Sequence, residues 1–496
     1  MGDRDGGTRD GGTRDGGTRD GSHAVLDIMT LSLHDTLTGE TRPFAPIEPG
    51  HARIYSCGPT VYGPAHIGNF RSFLFPDLLV RYLRYRGTQV TWVMNFTDID
   101  DRIIQRANAA GESIAALTDR WIAQFRADAT ALGMTTPDVL PRATEHIEEI
   151  AALIGVLEAR GHAYRTDDGS IFFRISSWPA YGRLARLDPT QMRVGERVEA
   201  DDYGKDDIRD FALWKGPKPD EPSWETPIGP GRPGWHIECS AMSMRHLGES
   251  FDIHTGGVDL IFPHHEDEIA QSEAATGRTF VGTWLHCAHL RLGGEKMARR
   301  VGNIARVTDL LDAGISPRAL RYALISVHYR QALEYSEASF AAAGAAVDRL
   351  DSLVSALASY HETVADDAGL PDVLTRARAA FEAALDDDLN ISAGLAAVFD
   401  LVRDLNRRID ARVLSTDDAT TALGVLRDLD RVLGLLPDPP AELDVDSAAL
   451  LAARQAARDA RDWARSDALR DELLGRGIAV EDTRDGQRWR RAEGSL

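Results

Sequence analysis

The stretch from Ala52 to Asp100 restricts the fold more than any other part of the chain. It opens with "ARIYSCGPTVY", rich in β-branched and aromatic residues and ending near a Gly-Pro turn, which reads as a strand. "HIGNFRSFLFPDLLVRYLRYRG" follows, with apolar residues at helical spacing and Gly87 as a stop signal. "QVTWVMNFTDID" then reads as a buried strand. Strand, helix, strand in that order is a βαβ unit, the start of a parallel sheet. Pro76, just before Asp77 in the helical pattern, predicts a local distortion there.

Residues 110–160 read as helical, and residues 165–230 as mixed and turn-rich, ending in "GPKPDEPSWETPIGPGRPGW". "SFDIHTGGVDLIF" reads as another buried strand with a glycine turn. "PHHEDEIAQSEAA" reads as a helix with Pro263 near its first turn. From about residue 317 onward alanine, leucine, arginine and aspartate recur at helical spacing until prolines interrupt at 436–443. Residues 444–475 are helical again, and "GIAVEDTRDGQRWRR" reads as a short hairpin with Asp485-Gly486 at its turn. A length of 496 residues suits about three domains. Residues 1–21 repeat Arg-Asp-Gly-Gly-Thr and offer nothing to bury, so disorder is expected there. Met29 opens the first ordinary segment; it is either the native start or the end of a real flexible tail.

Three cysteines, Cys57, Cys239 and Cys287, are too few for a disulfide framework and read better as thiols or metal ligands. A net charge of -21 argues against nonspecific nucleic-acid binding but leaves a local basic strip open. The sequence has no run of about 18 apolar residues and no signal-peptide core near its beginning. The cytoplasm is the expected compartment, with no membrane association.

Two constellations carry chemistry. His264 and Glu268 are four apart in the predicted helix and share one face. With Cys57 and Cys239 they offer thiolate, imidazole and carboxylate, all of them zinc ligands. Spacing alone makes this grouping weak, because no local CxxC pair announces it. Buried thiols and hydrogen-bonded histidines are the commoner explanation, and His236, His265, Glu266 and the "HCAH" cluster at 286–289 compete. Secondly, "HIGN" at 66–69 opens a helix after a strand, where unpaired N–H groups and a partial positive charge suit phosphates. Gly68 admits close approach, and His66 and Asn69 can donate to phosphate oxygens. "KMARRVGN" at 296–303 puts three cations in five residues. Such groups stabilise a pentacoordinate phosphate by about 3–4 kcal/mol each, although most basic clusters are simply solvated.

These residues carry a resemblance. "YSCGPTVYGPAHIGNFRSF", "NFTDIDDRII", "GRPGWHIECSAM", "FDIHTGGVDLIFPHHEDEIAQSEA" and "EKMARRVGN" resemble the cysteinyl-tRNA synthetases, as do "DDDLNISAGLAAVFDLVRDLNR" and "SDALRDELLGRGIAVEDTRDGQRWRR". The resemblance spans about residues 29–496. It implies an α/β fold: a class I, Rossmann-type parallel-sheet catalytic domain split by an insertion, then a helical bundle and a small C-terminal anticodon-binding module. It implies one zinc ion on Cys57, Cys239, His264 and Glu268. It implies that the two ATP signatures are "HIGN" and "KMARR", giving His66, Gly68 and Asn69, with Lys296 and Arg299, as ATP-binding residues. Of these, His66, Asn69, Lys296 and Arg299 would be catalytic. It further implies that Gly58, Thr60, Thr97, Trp235 and Asp259 line a cysteine pocket; for Trp235 alone, core packing is the competing explanation. The sequence departs from the family's usual Lys-Met-Ser-Lys-Ser at Ala298, Arg299 and Arg300. Positive charge survives there, but Arg is a planar fork where Lys is a point charge. No function is carried onto Cys287.

The implied activity is attachment of cysteine to its tRNA, with ATP arriving as its Mg²⁺ complex. Partners would be L-cysteine, ATP and the tRNA, acting on a monomer. The expected division is a tail over 1–28, the first catalytic half over 29–155, an insertion over 156–232 and the second catalytic half over 233–290. A Lys-Met loop and stem-contact region over 291–330, a bundle over 331–436 and the C-terminal module over 437–496 complete it. Residues 451–496 hold ten arginines against nine acidic residues, and Trp489 among arginines suits base stacking; a solvated arginine-rich terminus is the plainer reading. Two rivals remain: a ligase that joins cysteine to an amino sugar, and a non-catalytic relic suggested by the altered "KMARR".

Overall fold

A computed structural model describes residues 31–187, 209–292, 295–296, 304–438, 443–483 and 486–491. The expected tail, Met29, Asp485 and residues 297–303 of the second ATP signature lie outside the described residues. A hairpin of β1 (Ser32–Asp35) and β2 (Glu40–Pro43) comes first. β3 (His51–Ser56), α1 (Ile67–Tyr85) and β4 (Gln89–Met94) then form the expected βαβ unit, with β3 and β4 parallel. α2 (Asp101–Ala110), α3 (Ile114–Ala131) and α4 (Ile147–Ala159) follow.

β5 (Ala163–Arg165), β6 (Ile171–Phe173), β7 (Phe211–Lys215) and β8 (Arg232–Pro233) make an antiparallel sheet within the turn-rich region. The chain then returns to the parallel sheet through α5 (Trp235–Leu247), β9 (Phe251–Gly257), α6 (Glu266–Thr276) and β10 (Val281–Cys287). The order is β10-β9-β3-β4, with every pairing parallel. After β3 the chain moves to β4 on one side, and it later returns to place β9 on the other. The crevice at the carboxyl ends of β3 and β9 is therefore the switch point where open α/β sheets bind ligands.

β11 (Leu290–Leu292) pairs with β12 (Glu295–Lys296) and, after α7 (Val307–Asp312) and α8 (Pro317–Ile325), with β13 (Leu333–Tyr335). α9 (Glu337–Ala358), α10 (Leu370–Asp386), α11 (Ile391–Asp410) and α12 (Thr416–Leu433) form the helical bundle. α13 (Val445–Asp459), α14 (Trp463–Gly475) and the hairpin of β14 (Ile478–Thr483) with β15 (Gly486–Arg491) end the described chain. Gly486 pairs with Thr483, so it begins the second strand instead of sitting in the turn as expected. No described helix is long and apolar enough to cross a membrane.

α1 runs unbroken through Pro76, contrary to the expected distortion. It is buried on nearly every face, because the bundle packs against it as well as the sheet. Such packing outweighs the missing N–H of one proline. Phe70, stacked on Phe125 at 5.4 Å, and Phe73, edge-on to the same ring at 5.3 Å, anchor this core; each such ring contributes about 1.5–3 kcal/mol on burial. Asp77 joins three helices: Arg321 of α8 at 2.7 Å, Arg81 at 3.0 Å and the Thr135 N–H just beyond α3 at 2.8 Å. Burial alone would raise the Asp77 carboxyl; the two guanidiniums outweigh it and hold the group below the usual carboxylate range.

Two further expectations change. Gly256 and Gly257 are not a turn; they are the last residues of β9, paired with His286 and Cys287. A Cβ on Gly256 would meet the His265 ring at 2.6 Å, so glycine is required for the imidazole to approach the strand. The helix after Pro263 begins at Glu266, three residues beyond the proline. Phe262 is extended, with φ -139° and ψ 133°, as a residue before proline tends to be, which leaves His264 and His265 in a separate turn.

Candidate metal and nucleotide sites

The loop leaving β3 places Cys57 at the switch point, and Gly58 keeps it there. A Cβ on Gly58 would lie 1.7 Å from the Asn95 carbonyl oxygen, so only glycine lets this loop lie against the exit of β4. Gly58 N–H donates to Asn95 Oδ1 at 2.9 Å. Val61 N–H donates to Thr97 O at 3.1 Å, and Thr97 N–H to Pro59 O at 3.2 Å. α5 brings Cys239 in from below, and the turn before α6 supplies His264 while α6 itself supplies Glu268.

These four expected ligands converge and are buried, with their donor atoms within 4.8 Å of one another. Cys57 Sγ lies 3.7 Å from Cys239 Sγ and 3.7 Å from Glu268 Oε1, and His264 Nε2 lies 3.1 Å from the same oxygen. Zinc with sulfur at about 2.3 Å and nitrogen or oxygen at about 2.0 Å, arranged tetrahedrally, separates its ligands by about 3.3–3.8 Å. The donor set and its spacing therefore fit zinc. Burial, with the neighbouring Cys239 and Glu268, pushes the Cys57 thiol well up, and burial pulls the His264 imidazole well down. A cation would reverse the first effect and use the neutral imidazole produced by the second.

A second set, Cys57, His254, His265 and Glu268, also brings its donor atoms within 4.8 Å of one another. His265 Nε2 is 3.3 Å from Cys57 Sγ, and its Nδ1 is 2.8 Å from His286 Nε2. His254 Nε2 is 2.9 Å from Glu268 Oε2, the oxygen turned away from His264. The competing residues thus sort themselves. His236 Nδ1 stands 2.9 Å behind His264 Nδ1, and its Nε2 is 3.5 Å from Asp267 Oδ2. Such a chain orients a ligating imidazole by fixing its tautomer. Glu266 points elsewhere: its carboxylate accepts the N–H groups of Gly182, Arg183, Leu184 and Ala185 at 2.7–3.1 Å. Cys287 is buried beside Arg71, outside both sets.

His254, Asn95 and Glu238 are site residues that sequence reasoning missed. His254 alternates with Asp252 along a strand that is otherwise buried, a weak signal of polar work on one face. Glu238, next to Cys239, is fully buried. Burial and the nearby Asp98 push its carboxyl well up, against the opposing pull of the Thr97 side chain.

Of the residues expected around a cysteine substrate, Gly58 directly follows Cys57 and Trp235 touches the cluster. Trp235 is stacked on His264, with ring centroids 4.2 Å apart and an angle of 20°, yet it is 38% exposed. That exposure removes core packing as its explanation. Thr60 and Thr97 are bridged across the two loops, and Thr97 is buried. Asp259 lies in the turn after β9, 3.9 Å from His289 Nδ1.

His66 is the N-cap of α1. Its Nδ1 accepts the Asn69 N–H at 3.3 Å, while Asn69 Oδ1 accepts the His66 N–H at 3.1 Å. This capping box places the histidine proton on Nε2 and leaves Nδ2 as the Asn69 donor. Ile67 N–H goes to Ala305 O at 3.0 Å. Gly68 N–H has no partner among the described residues, so the anion-binding capacity of this helix end centres on it. Lys296 is described only as backbone of β12, and Arg299 lies outside the described residues.

The class I (C) tRNA synthetase catalytic domain matches residues 43–345, the DALR domain residues 380–437, and the cysteinyl-tRNA ligase anticodon binding domain residues 441–490. Among solved structures, Mycobacterium tuberculosis methionyl-tRNA synthetase with methionyl-adenylate shares the fold, with a TM-score of 0.56 at 17% identity, covering 77% of this chain and 92% of that one. The LeuRS–tRNA–LeuAMS ternary complex of Agrobacterium radiobacter K84 does so at a TM-score of 0.58 and 12% identity, covering 78% and 84%. The cysteine–tRNA ligase of Symbiobacterium thermophilum is 47% identical over 474 residues, 94% of this chain and 100% of that one. That of Alkalilimnicola ehrlichii is 47% identical over 473 residues, covering 93% and 100%. With identity at this level along the full length of such relatives, the chain belongs to the cysteine–tRNA ligase family.

Proposed function

We propose that the protein is an ATP-dependent cysteine–tRNA ligase that works as a cytoplasmic monomer. The observation that carries this reading is the 47% identity to cysteine–tRNA ligases over their whole length. In the first step the cysteine carboxylate attacks the ATP α-phosphorus; the new P–O bond gives cysteinyl-adenylate, and pyrophosphate leaves. A carboxylate is already ionised, so positioning and charge stabilisation do the work and no general base is needed. His66 Nε2–H, Asn69 Nδ2 and the Gly68 N–H would hold phosphate oxygens at the start of α1, while Lys296 and Arg299 would meet the charge that develops on the transferring phosphorus. Mg²⁺ arrives with ATP and neutralises the triphosphate. In the second step a hydroxyl of the tRNA's 3′-terminal adenosine attacks the carbonyl carbon, losing its proton as AMP leaves.

Zinc held by Cys57, Cys239, His264 and Glu268 would supply a position for the substrate thiolate, which serine and alanine fill poorly or not at all. Thr60, Thr97 and Asp259 would receive the substrate ammonium, Gly58 would leave room for its backbone, and the Trp235 indole would close one side. The chain would divide at the expected boundaries, with the insertion over 156–232 and the anticodon module over 437–496. The match to an anticodon-binding domain over residues 441–490 favours tRNA over an amino sugar as the acceptor.

Cysteine-dependent ATP–pyrophosphate exchange tests the reading, run with cysteine and serine side by side on protein of measured zinc content. Exchange with cysteine alone, followed by charging of a tRNA with a GCA anticodon, is the expected result. No exchange at saturating cysteine would eliminate the enzyme reading, and transfer to an amino sugar instead of tRNA would move the chain to the rival ligase.

A further inference from the structure

The proposed adenylation needs two nucleotide-binding elements held at a fixed separation: the N-terminus of α1, and the strand that carries Lys296. One side chain joins the structures that bear them. Arg71 lies in α1, two residues beyond Asn69, and is 2% exposed. Its guanidinium leaves the helix altogether. Nε donates to Ala288 O at 3.2 Å, Nη1 to Leu324 O at 2.8 Å, and Nη2 to His328 O at 3.2 Å and Gln331 O at 2.7 Å. Ala288 connects β10 to β11, whereas Leu324 lies in the last turn of α8 and His328 and Gln331 in the loop from α8 to β13. β11 is the middle strand of the small sheet, with β12 and its Lys296 on one side and β13 on the other. One planar fork therefore binds both roots of that sheet to α1.

The charge has no counter-ion: among the described residues no carboxylate pairs with Arg71, and burial lowers its pKa. Burying a cation against carbonyl dipoles alone is unfavourable, and an apolar side chain of similar volume would hold two helices together without that penalty. What an apolar side chain could not do is geometric: a guanidinium can reach carbonyls of two separate segments in one plane. The Ile67 N–H bond to Ala305 O adds a second tie between the first turn of α1 and the chain entering α7.

We propose that Arg71 is a positioning residue that sets the β11–β12–β13 arm, and with it Lys296, against the nucleotide-binding end of α1. This inference rests on the ATP-dependent reading above. The test uses Arg71→Lys and Arg71→Met in the full chain, with thermal unfolding, zinc content and the Michaelis constants for ATP and cysteine measured beside kcat of pyrophosphate exchange. Both variants are expected to keep zinc and the cysteine constant. Their kcat should fall about 100-fold, the size of effect that a displacement of about 1 Å produces. Arg71→Lys should gain little over Arg71→Met, since one nitrogen cannot span both segments. Wild-type turnover in either variant would overturn the assignment. So would a loss of rate matched by loss of folded protein in both, or an equal rise in the cysteine constant, each of which marks a purely structural role. Absence of exchange in the parent chain would remove the proposed function and this inference together, whereas an active parent with an unimpaired variant removes this inference alone.

Discussion

The two donor sets that share Cys57 and Glu268 make opposite predictions, and a pair of substitutions separates them. If the ion sits with Cys239 and His264, then Cys239→Ser removes a ligand while His254→Gln removes only a neighbour of one. Structural zinc sites bind with about 10–16 kcal/mol in peptides, or about 2.5–4 kcal/mol per ligand when divided evenly over four. A serine in place of Cys239 should then weaken zinc by roughly 10²–10³-fold. His254 Nε2 contacts Glu268 Oε2 at 2.9 Å, the oxygen that His264 does not contact. Losing such an outer partner costs about 10–100-fold in affinity, or about 1.4–2.7 kcal/mol. Geometry favours the first set: its contacts of 3.7, 3.7 and 3.1 Å lie near tetrahedral ligand spacing, and its two thiols suit zinc better than one. The second set has Cys57 as its one thiol, and its His254 reaches Glu268 through Oε2 instead of the oxygen that faces Cys57. The assay is zinc affinity by competition with a chromophoric chelator, on folded protein checked by circular dichroism. Cys239→Ser binding zinc as tightly as the parent, with His254→Gln losing it, would refute the assignment and move the ion to His254 and His265.

Three other perturbations follow from the geometry. Gly58→Ala must drive a methyl group into the Asn95 carbonyl, where neither backbone can yield; a loss of about 1–3 kcal/mol in urea unfolding is expected, with weaker zinc binding, and an unchanged midpoint would count against the close approach. Asp430 of α12 is raised from 3.8 to about 6, chiefly by burial. Between those values the folded chain keeps a proton that the unfolded chain has lost, so stability falls by about 3 kcal/mol as pH rises through this window and is flat above it. Asp430→Asn, which can still accept the N–H groups of Leu435 and Leu436, should therefore stabilise the protein at pH 7.5 and change little at pH 3.5; equal effects at both would contradict the burial argument. Removing residues 444–496 should spare pyrophosphate exchange but reduce tRNA charging, and full charging by the shortened chain would take the anticodon role from this module.

Local periodicity made β3, α1 and β4 legible, because each is long enough to show its period and is bounded by glycine or proline. The same logic paired His264 with Glu268, since a spacing of four survives even though His264 sits in a turn just before α6. It could not reach Cys239, whose meeting with Cys57 depends on where α5 packs beneath the sheet. Nor could it reach His254, whose role depends on β9 pairing beside β3 with Tyr55 opposite His254. Gly256 was misread for the same reason: a glycine needed to admit the His265 ring looks, in one dimension, like a glycine needed for a turn. Here the family resemblance supplied what periodicity lacked, namely the grouping of Cys57 and Cys239 with the His264–Glu268 pair, and the structure supplies the order of the strands. Once β9 lies next to β3 instead of beyond β4, the loops after both strands must open into one crevice. Cys57 and the His264–Glu268 pair then face each other across it, and the metal cluster and the start of α1 occupy the same edge of the sheet as a consequence of topology.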